Sequence, residues 1–311
     1  MKIGVSLPQH TASNAEQWIG TRDVLEAASL AEASGLDSVW LIDHFFIPSV
    51  YDDMIANGEK PSAALRGVQV GAWECWSLAS ALAIATERVE IGTQVTNTGN
   101  RNPALLARLV DTVDDLSGGR VILGLGAGYF RSEYDAFGYA WENRVGRLEE
   151  ALQIISPLLR GNSVSFNGTY YRTENARLLP KSPRSSGPPI LIGSVKGGPR
   201  IRRLTAQCAD YWNCYLAFGD SRPEALLPHR DLQFAACERV GRDPATLPVH
   251  VTVSVQPGDG GEAGPLAGSP KQIATQFARF RDLGVAHLVA TLKPFSPSTL
   301  EVLAEASRLI R

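Results

Sequence analysis

The chain has 311 residues, 44% of them apolar, with 30 Lys and Arg set against 32 Asp and Glu. That length accommodates two ordinary domains or one large α/β barrel with a core that needs no staples. A formal charge of −2 excludes the simplest nucleic-acid binder, which needs a basic face, and a polybasic membrane-surface protein. With 29 Gly and 19 Pro, the composition is not that of a low-complexity polymer either.

The first residues, Met1-Lys2-Ile3-Gly4-Val5-Ser6-Leu7-Pro8, turn polar at Gln9-His10 and give no apolar core of a secretory signal. The longest plainly apolar run, Leu78 to Ala85, is far short of a bilayer span. Four cysteines (Cys75, Cys208, Cys214, Cys237) show no zinc spacing and read as buried thiols, with no disulfide expected between Cys208 and Cys214. A cytoplasmic location is the expectation.

In chain order, the first strand is predicted at Ile3–Leu7 and an Ala-rich helix from Asn14 to Ser34. The second strand, Ser38–Ile42, runs into a long loop over about 45–75, punctuated by Pro48, Gly58, Pro61 and Gly67. Trp73, Glu74 and Trp76 open the next helix, both indoles being expected in the core. A third strand is predicted at Val89–Val95. Asn102-Pro103 then supplies an N-cap and a first-turn proline, and Leu106, Leu109, Val110 and Val113 fall on one helical face. Ser117-Gly118-Gly119 ends that helix before a fourth strand at Val121–Leu125.

The second long excursion covers about 129–188. It holds a helix, Glu142 to Leu159, and a hairpin, Val164 to Tyr171, turning at Asn167-Gly168. Strands follow at Ile190–Gly193, Tyr211–Tyr215, His250–Val255 and His287–Leu292. Helices are predicted at Ile201–Ala209, at Lys271–Leu283 behind Ser269-Pro270, and at Ser298–Ile310. A Gly-rich loop spans Pro257 to Gly268. Eight strands alternating with helices is the count of a (β/α)8 TIM barrel, here with insertions after strands two and four. A doubly wound open sheet is the alternative, but it would place a Gly-rich turn after the first strand, where Pro8-Gln9-His10 stands. One domain is expected over 1–311, its two long excursions acting as lids over the mouth.

The carboxyl ends of barrel strands carry the chemistry. Strand two ends in Asp43-His44, a carboxylate beside an imidazole, able to supply a general base and a group that orients it. Strand three ends in Gln94-Val95-Thr96-Asn97, polar groups suited to a heteroaromatic ligand. Strand four ends Gly124-Leu125-Gly126-Ala127-Gly128-Tyr129, whose alternate glycines clear one face for something flat. After strand five, Gly193-Ser194-Val195-Lys196-Gly197-Gly198-Pro199-Arg200 leads into a helix, so backbone N–H groups and the helix dipole favour an anion there. Lys196, Arg200, Arg202 and Arg203 add positive charge, which opposes the dipole unless a phosphate lies between them. His250 and His287 stand at the opposite end and read as structural. Hydrolase, Walker A and zinc-protease motifs are absent, and the five histidines show no metal-ligand spacing.

These motifs together resemble the bacterial luciferase-like superfamily. The resemblance is carried by Val39-Trp40-Leu41-Ile42-Asp43-His44-Phe45 and by Gly92-Thr93-Gln94-Val95 with Arg101-Asn102-Pro103-Ala104. It continues through Leu116-Ser117-Gly118-Gly119-Arg120 to Gly128, then Glu133-Tyr134, Pro189 to Gly193, Gly197-Gly198 and Ala209 to Asn213. Within the superfamily the chain looks most like the branch that uses the deazaflavin coenzyme F-420.

The resemblance implies a flat ring over the barrel mouth. Asp43 would contact it, His44 would face the substrate as acid or base, and Thr96 and Asn97 would border ring or substrate. Gly197 and Gly198 would meet a phosphate, with Ser194, Lys196, Arg200 and Gly128 among the cofactor-binding positions. Gln94–Val95 aligns with a non-proline cis peptide of many relatives. Sugar-phosphate dehydrogenases of the branch carry Glu where this chain has Tyr129 and Trp where it has Pro48, which argues against a sugar phosphate. Whether Tyr129 or Glu133 supplies a second proton-transfer group stays open. The implied function is hydride transfer between F-420 and a small organic substrate, an alcohol, carbonyl, enone, imine or nitroarene, by a homodimer. The alternatives are a reduced-FMN monooxygenase on the same barrel, and a non-catalytic flavin or deazaflavin-binding protein.

Overall fold

The computed structural model describes residues 1–12, 15, 18–194, 197–258 and 264–311. Eight parallel strands form its centre: β1 (Lys2–Ser6), β2 (Ser38–Leu41), β3 (Glu90–Thr93), β4 (Val121–Gly126), β5 (Ile190–Ser194), β6 (Tyr211–Tyr215), β7 (Val249–Pro257) and β8 (Val285–Leu292). Neighbours pair in sequence order, and β1 pairs with β8 in the register Lys2↔His287, closing the sheet on itself. The (β/α)8 barrel expected from the strand count is therefore present. Around it lie α1 (Thr21–Ala33), α2 (Val50–Ala56), α3 (Cys75–Ala85), α4 (Pro103–Leu116) and α5 (Arg131–Phe137). They are followed by α6 (Arg144–Leu159), α7 (Pro199–Cys208), α8 (Leu226–Arg239), α9 (Pro270–Asp282) and α10 (Pro297–Leu309). Among the described residues no helix is long and apolar enough to cross a membrane.

The helix starts follow the capping chemistry of the sequence. The Asn102 side chain accepts from the N–H groups of Ala104 and Leu105 behind Pro103, and Ser269 with Gln272 forms a reciprocal capping box. The first helix begins later than predicted, at Thr21, where the Asp23 carboxylate accepts from Gly20 N at 2.7 Å. Asn14 lies outside the described residues. The helix predicted at Glu142–Leu159 is α6, packed against α4 and α7 as the barrel's own fourth helix, so the second excursion leaves the ring only before and after it. Its hairpin pairs Val164–Asn167 with Arg172–Ala176, not with residues 169–171. The cause is Glu150, whose carboxylate accepts from the N–H groups of Thr169, Tyr170 and Tyr171 and withdraws them from the ladder. The first excursion contributes Phe46–Ile47 and Val70–Ala72, which pair with His10–Ala12 in a three-stranded sheet.

Two apolar cores result. The larger lies between strands and helices, and a smaller one inside the barrel is built from Trp40, Ile122, Leu191 and Val289. Trp40 fits because Gly92 faces it: a Cβ there would stand 2.3 Å from the indole. Toward the amino ends of the strands sit His250 and His287, both buried, with His287 Nε2 2.7 Å from Ser38 Oγ. Toward the carboxyl ends a polar layer crosses the interior. Gln94 Nε2 donates to Ser6 Oγ at 2.5 Å, Thr252 Oγ1 donates to Gln94 Oε1 at 2.8 Å, and Asn213 Nδ2 donates to Thr252 Oγ1 at 3.0 Å. This layer is the floor of the mouth. One tryptophan departs from its expected place: Trp76 is buried, but Trp73 is 46% exposed because its indole N–H reaches outward to the Ile19 carbonyl at 2.8 Å.

Candidate active site

The end of β2 is clamped before its polar residues begin. Ile42 N donates to Gln9 Oε1 at 2.7 Å and Gln9 Nε2 donates back to the Ile42 carbonyl at 2.8 Å, with a further bond to the Trp73 carbonyl. The next two side chains then diverge, as successive residues of extended chain do. Asp43 turns inward and is 1% exposed. Its carboxylate accepts from both terminal nitrogens of Arg101, at 2.7 and 2.9 Å, and from Asn97 N at 2.9 Å. Arg101 also donates to Glu74, the N-cap of α3. Burial pushes the Asp43 carboxyl up from its ordinary range, against the pull of the Arg101 bonds.

His44 turns to the mouth instead, and its partner is Glu133 of α5. His44 Nδ1 lies 2.8 Å from Glu133 Oε2, while Glu133 Oε1 accepts from Phe45 N at 2.7 Å. Glu133 is 1% exposed, so this carboxylate is a fixed acceptor that holds the imidazole as the Nδ1–H tautomer and leaves Nε2 for a substrate. The sequence placed a carboxylate beside His44 at Asp43; the one that meets it comes from the other excursion.

The segment bearing Glu133 is braced from the first excursion. Asp53 of α2 accepts from Ser132 N at 3.3 Å and from Ser132 Oγ, capping the start of α5, and Asn57 Nδ2 donates to the Tyr129 carbonyl at 3.1 Å. Tyr134 Oη donates to the Ala127 carbonyl and to Asn97 Oδ1, and burial pushes that phenol up to about 12, which keeps it a donor. Gly128 has φ +79°, and a Cβ there would sit 2.1 Å from Tyr134 Oη, so only glycine serves.

At the end of β3 the Gln94–Val95 bond is cis. Gln94 spends its amide on the floor layer, and Thr96, fully buried, donates to Thr93 Oγ1 at 3.0 Å. Val95 is ringed by glycines: a Cβ on Gly126 would stand 2.4 Å from Val95 Cγ2, and one on Gly193 3.3 Å from Val95 Cγ1. Asn97 Nδ2 and Tyr129 Oη are buried without a hydrogen-bond partner.

Beyond β5, Lys196 and the side chain of Ser194 lie outside the described residues. Gly197 has φ +50°, and Gly198 is the N-cap of α7. The basic first turn of α7 does not stand bare. Glu149 of α6 accepts from Arg200 Nε at 2.8 Å and from Arg203 Nη2 at 2.7 Å, so a carboxylate of the chain takes the place expected for a phosphate between them. Arg203 and Arg200 hold the Glu149 carboxyl below its usual range.

The structure thus brings His44, Glu133, Tyr129, Gly128 and Gln94 to Asn97 to the ends of β2–β4, with Asp43 beneath them, and places Gly197, Gly198 and Arg200 at the end of β5. Five supporting residues had no assigned role in the sequence: Gln9, Asp53, Asn57, Glu74 and Arg101. Arg101 lies inside a motif named above and Glu74 is the N-cap of α3, accepting from Trp76 N and Ser77 N; Gln9, Asp53 and Asn57 give no local signal, because their partners are distant in the chain. Among the described residues no group of His, Cys, Asp and Glu is arranged to hold a metal. An imidazole with one nitrogen held by a buried carboxylate and its ring still partly exposed is equipped to move a proton.

The family model described as luciferase-like monooxygenase matches residues 1–263. The F-420-dependent glucose-6-phosphate dehydrogenase of Amycolatopsis mediterranei is 35% identical over 208 residues, 65% of this chain and 55% of that protein. The 5,10-methylenetetrahydromethanopterin reductase of Archaeoglobus fulgidus is 33% identical over 181 residues, 58% of this chain and 45% of that protein. The chain thus spans about half the length of these curated relatives. Among solved structures, an F-420-dependent secondary alcohol dehydrogenase in complex with an F-420–acetone adduct superposes with a TM-score of 0.78 at 20% identity, covering 100% of this chain and 99% of that one. The coenzyme F-420-dependent tetrahydromethanopterin reductase of Methanopyrus kandleri gives 0.76 at 16% identity, with coverage of 100% and 99%. These two likenesses concern the fold.

Proposed function

The chain belongs to the luciferase-like monooxygenase family, and from that premise we propose that it is an oxidoreductase that uses the deazaflavin coenzyme F-420 to move a hydride to or from a small organic substrate. The observation that carries the reading is the His44–Glu133 pair at the mouth, a proton-handling group whose Nδ1 is held by a buried carboxylate while the ring stays partly exposed. The Amycolatopsis relative, F-420-dependent by name, supports the choice of coenzyme.

The residues present fit such a group. Gly126 and Gly193 leave room for the Val95 side chain beside the cis bond, and Asn97 Nδ2 is a buried donor in want of an acceptor. Gly197 and Gly198 open onto the N-terminus of α7, where a phosphate of the tail would be held, with Lys196 and Ser194 as further positions for it and Arg200 joining them only by leaving Glu149. When bound, a deazaflavin supplies a two-electron carrier whose carbon at position 5 does not activate oxygen as a flavin does.

The chain does the rest. In alcohol oxidation His44 Nε2 takes the hydroxyl proton, and in carbonyl reduction it returns one, while Glu133 steadies the imidazolium that forms. Asp43 holds Arg101 and the backbone at Asn97, so it fixes the end of β3 beside which ring and substrate would rest. A homodimer belongs to the same reading, and sedimentation would report it. The deciding experiment titrates the protein with F-420 and with FMN by tryptophan fluorescence at fixed salt. The expected result is saturable quenching by F-420 at much lower concentration. Tight binding of FMN alone would replace this reading by the reduced-FMN monooxygenase.

A further inference from the structure

The wall beside His44 is aromatic and continuous. The His44 ring packs edge-on against Phe130 at 5.3 Å between centroids, Phe130 against Tyr129 at 4.9 Å, Tyr129 against Phe218 at 6.4 Å, and Phe218 against Tyr215 at 4.8 Å. Tyr129 leaves the end of β4 and Phe218 follows β6, so their near-parallel pair, 30° between planes, reaches across the end of β5. Phe218 is 53% exposed. A large ring held at the surface, at the far end of a row of rings that leads to an acid–base pair, is apolar area with something to cover it only when a ligand is present.

Tyr129 adds a second, independent observation. Its Oη is buried and has no hydrogen-bond partner, although its backbone is fixed by Asn57 and by the left-handed turn at Gly128. If the ring served packing alone, phenylalanine would do as well, as it does at the adjacent Phe130. A buried hydroxyl without a partner is unfavourable and calls for one. The guanidinium next along the segment, Arg131, is engaged with Asp135 at 3.4 Å. A charged substrate group lodged among these rings would lose its hydration without compensation.

We propose that the substrate is an uncharged molecule with a flat apolar or aromatic body, that the body packs on the exposed Phe218 beside Tyr129, and that Tyr129 Oη donates the hydrogen bond that orients it. Tyr129 is thus a specificity-determining residue. The inference rests on the oxidoreductase reading, and the test separates the two. Binding of acetophenone and of dihydroxyacetone phosphate to the full chain is followed by ligand-observed NMR, with and without F-420, while F-420 binding is followed by its own fluorescence. Acetophenone is expected to bind at least tenfold more tightly than the phosphate. Tyr129→Phe, which keeps the ring, is expected to weaken acetophenone by five- to tenfold with F-420 affinity and melting temperature unchanged. Phe218→Ala should weaken it similarly. Tighter binding of the phosphate, or undiminished acetophenone binding by Tyr129→Phe, would overturn the inference alone. Absence of F-420 binding would overturn the function, and the bare chain's preference between the two probes would still decide the substrate class.

Discussion

His44 and Glu133 are 89 positions apart in the chain and 2.8 Å apart in space. Replacing His44 by Ala removes the proton carrier and leaves the floor intact, so turnover should fall by about 10²–10⁴-fold with F-420 affinity unchanged, measured by stopped-flow absorbance and fluorescence titration. Glu133→Gln keeps the shape and removes the charge that steadies the imidazolium; its turnover should lie between wild type and His44→Ala, and equal turnover to wild type would leave Glu133 as scaffold only. Both residues were legible as reactive types, yet their partnership was not. Asp43 is the sequence neighbour of His44, but alternation at a strand end sends the two side chains apart, and Asp43 goes to Arg101. Adjacency in sequence is a poor guide to contact wherever the chain is extended.

Helix α5 is seven residues long and carries Glu133 in its first turn. So short a helix has little intrinsic stability and depends on what holds its ends. Asp53 caps it from the other excursion, and Gly138, at φ +71°, terminates it. Loss of such a cap costs about 0.5–2 kcal/mol. Asp53→Ala should therefore lower the melting temperature slightly and raise hydrogen exchange in 129–138 sharply, measured by mass spectrometry, with the barrel strands unaffected. Elements read from patterning alone were found where periodicity and caps agree, as in α4 behind Asn102-Pro103. They were misplaced where a distant carboxylate competes for backbone donors. Glu150 moved the hairpin's return strand in this way, and Glu149 answered the basic turn of α7 that the sequence alone ascribed to a ligand.

Across the whole molecule, the barrel was legible because eight short apolar strands alternate with helices, whereas the packing inside it was not. No pattern announces that Gly92 yields its place to Trp40, or that two histidines sit beneath that indole. Burial pushes His250 down to about 3 from an ordinary 6.5 and lowers His287 well below its ordinary value, with help from His250 and Lys2. The unfolded chain binds protons at these positions that the folded one refuses, so stability is lost as pH falls through about 6.5 and the loss continues toward 3. His250 contributes about 1.4 kcal/mol per pH unit within that window, and His287 acts in the same direction. Melting temperature should drop steeply between about pH 6 and pH 4.5, and His287→Gln should flatten the drop while lowering the plateau at neutral pH. An unchanged slope in that variant would show that other groups govern acid sensitivity.

The proton-handling pair, the carboxylate that anchors Arg101, and the brace between the two excursions all come from the chain before residue 142. The glycine pair at α7 and the exposed ring of Phe218 come from after it. Reactivity is thus written in the earlier stretch, while grip is shared, since Tyr129 precedes residue 142 and Phe218, which faces it, follows. A graft that exchanged the later stretch for that of a relative would be expected to change which molecule is held while the machinery that exchanges its proton travels along untouched.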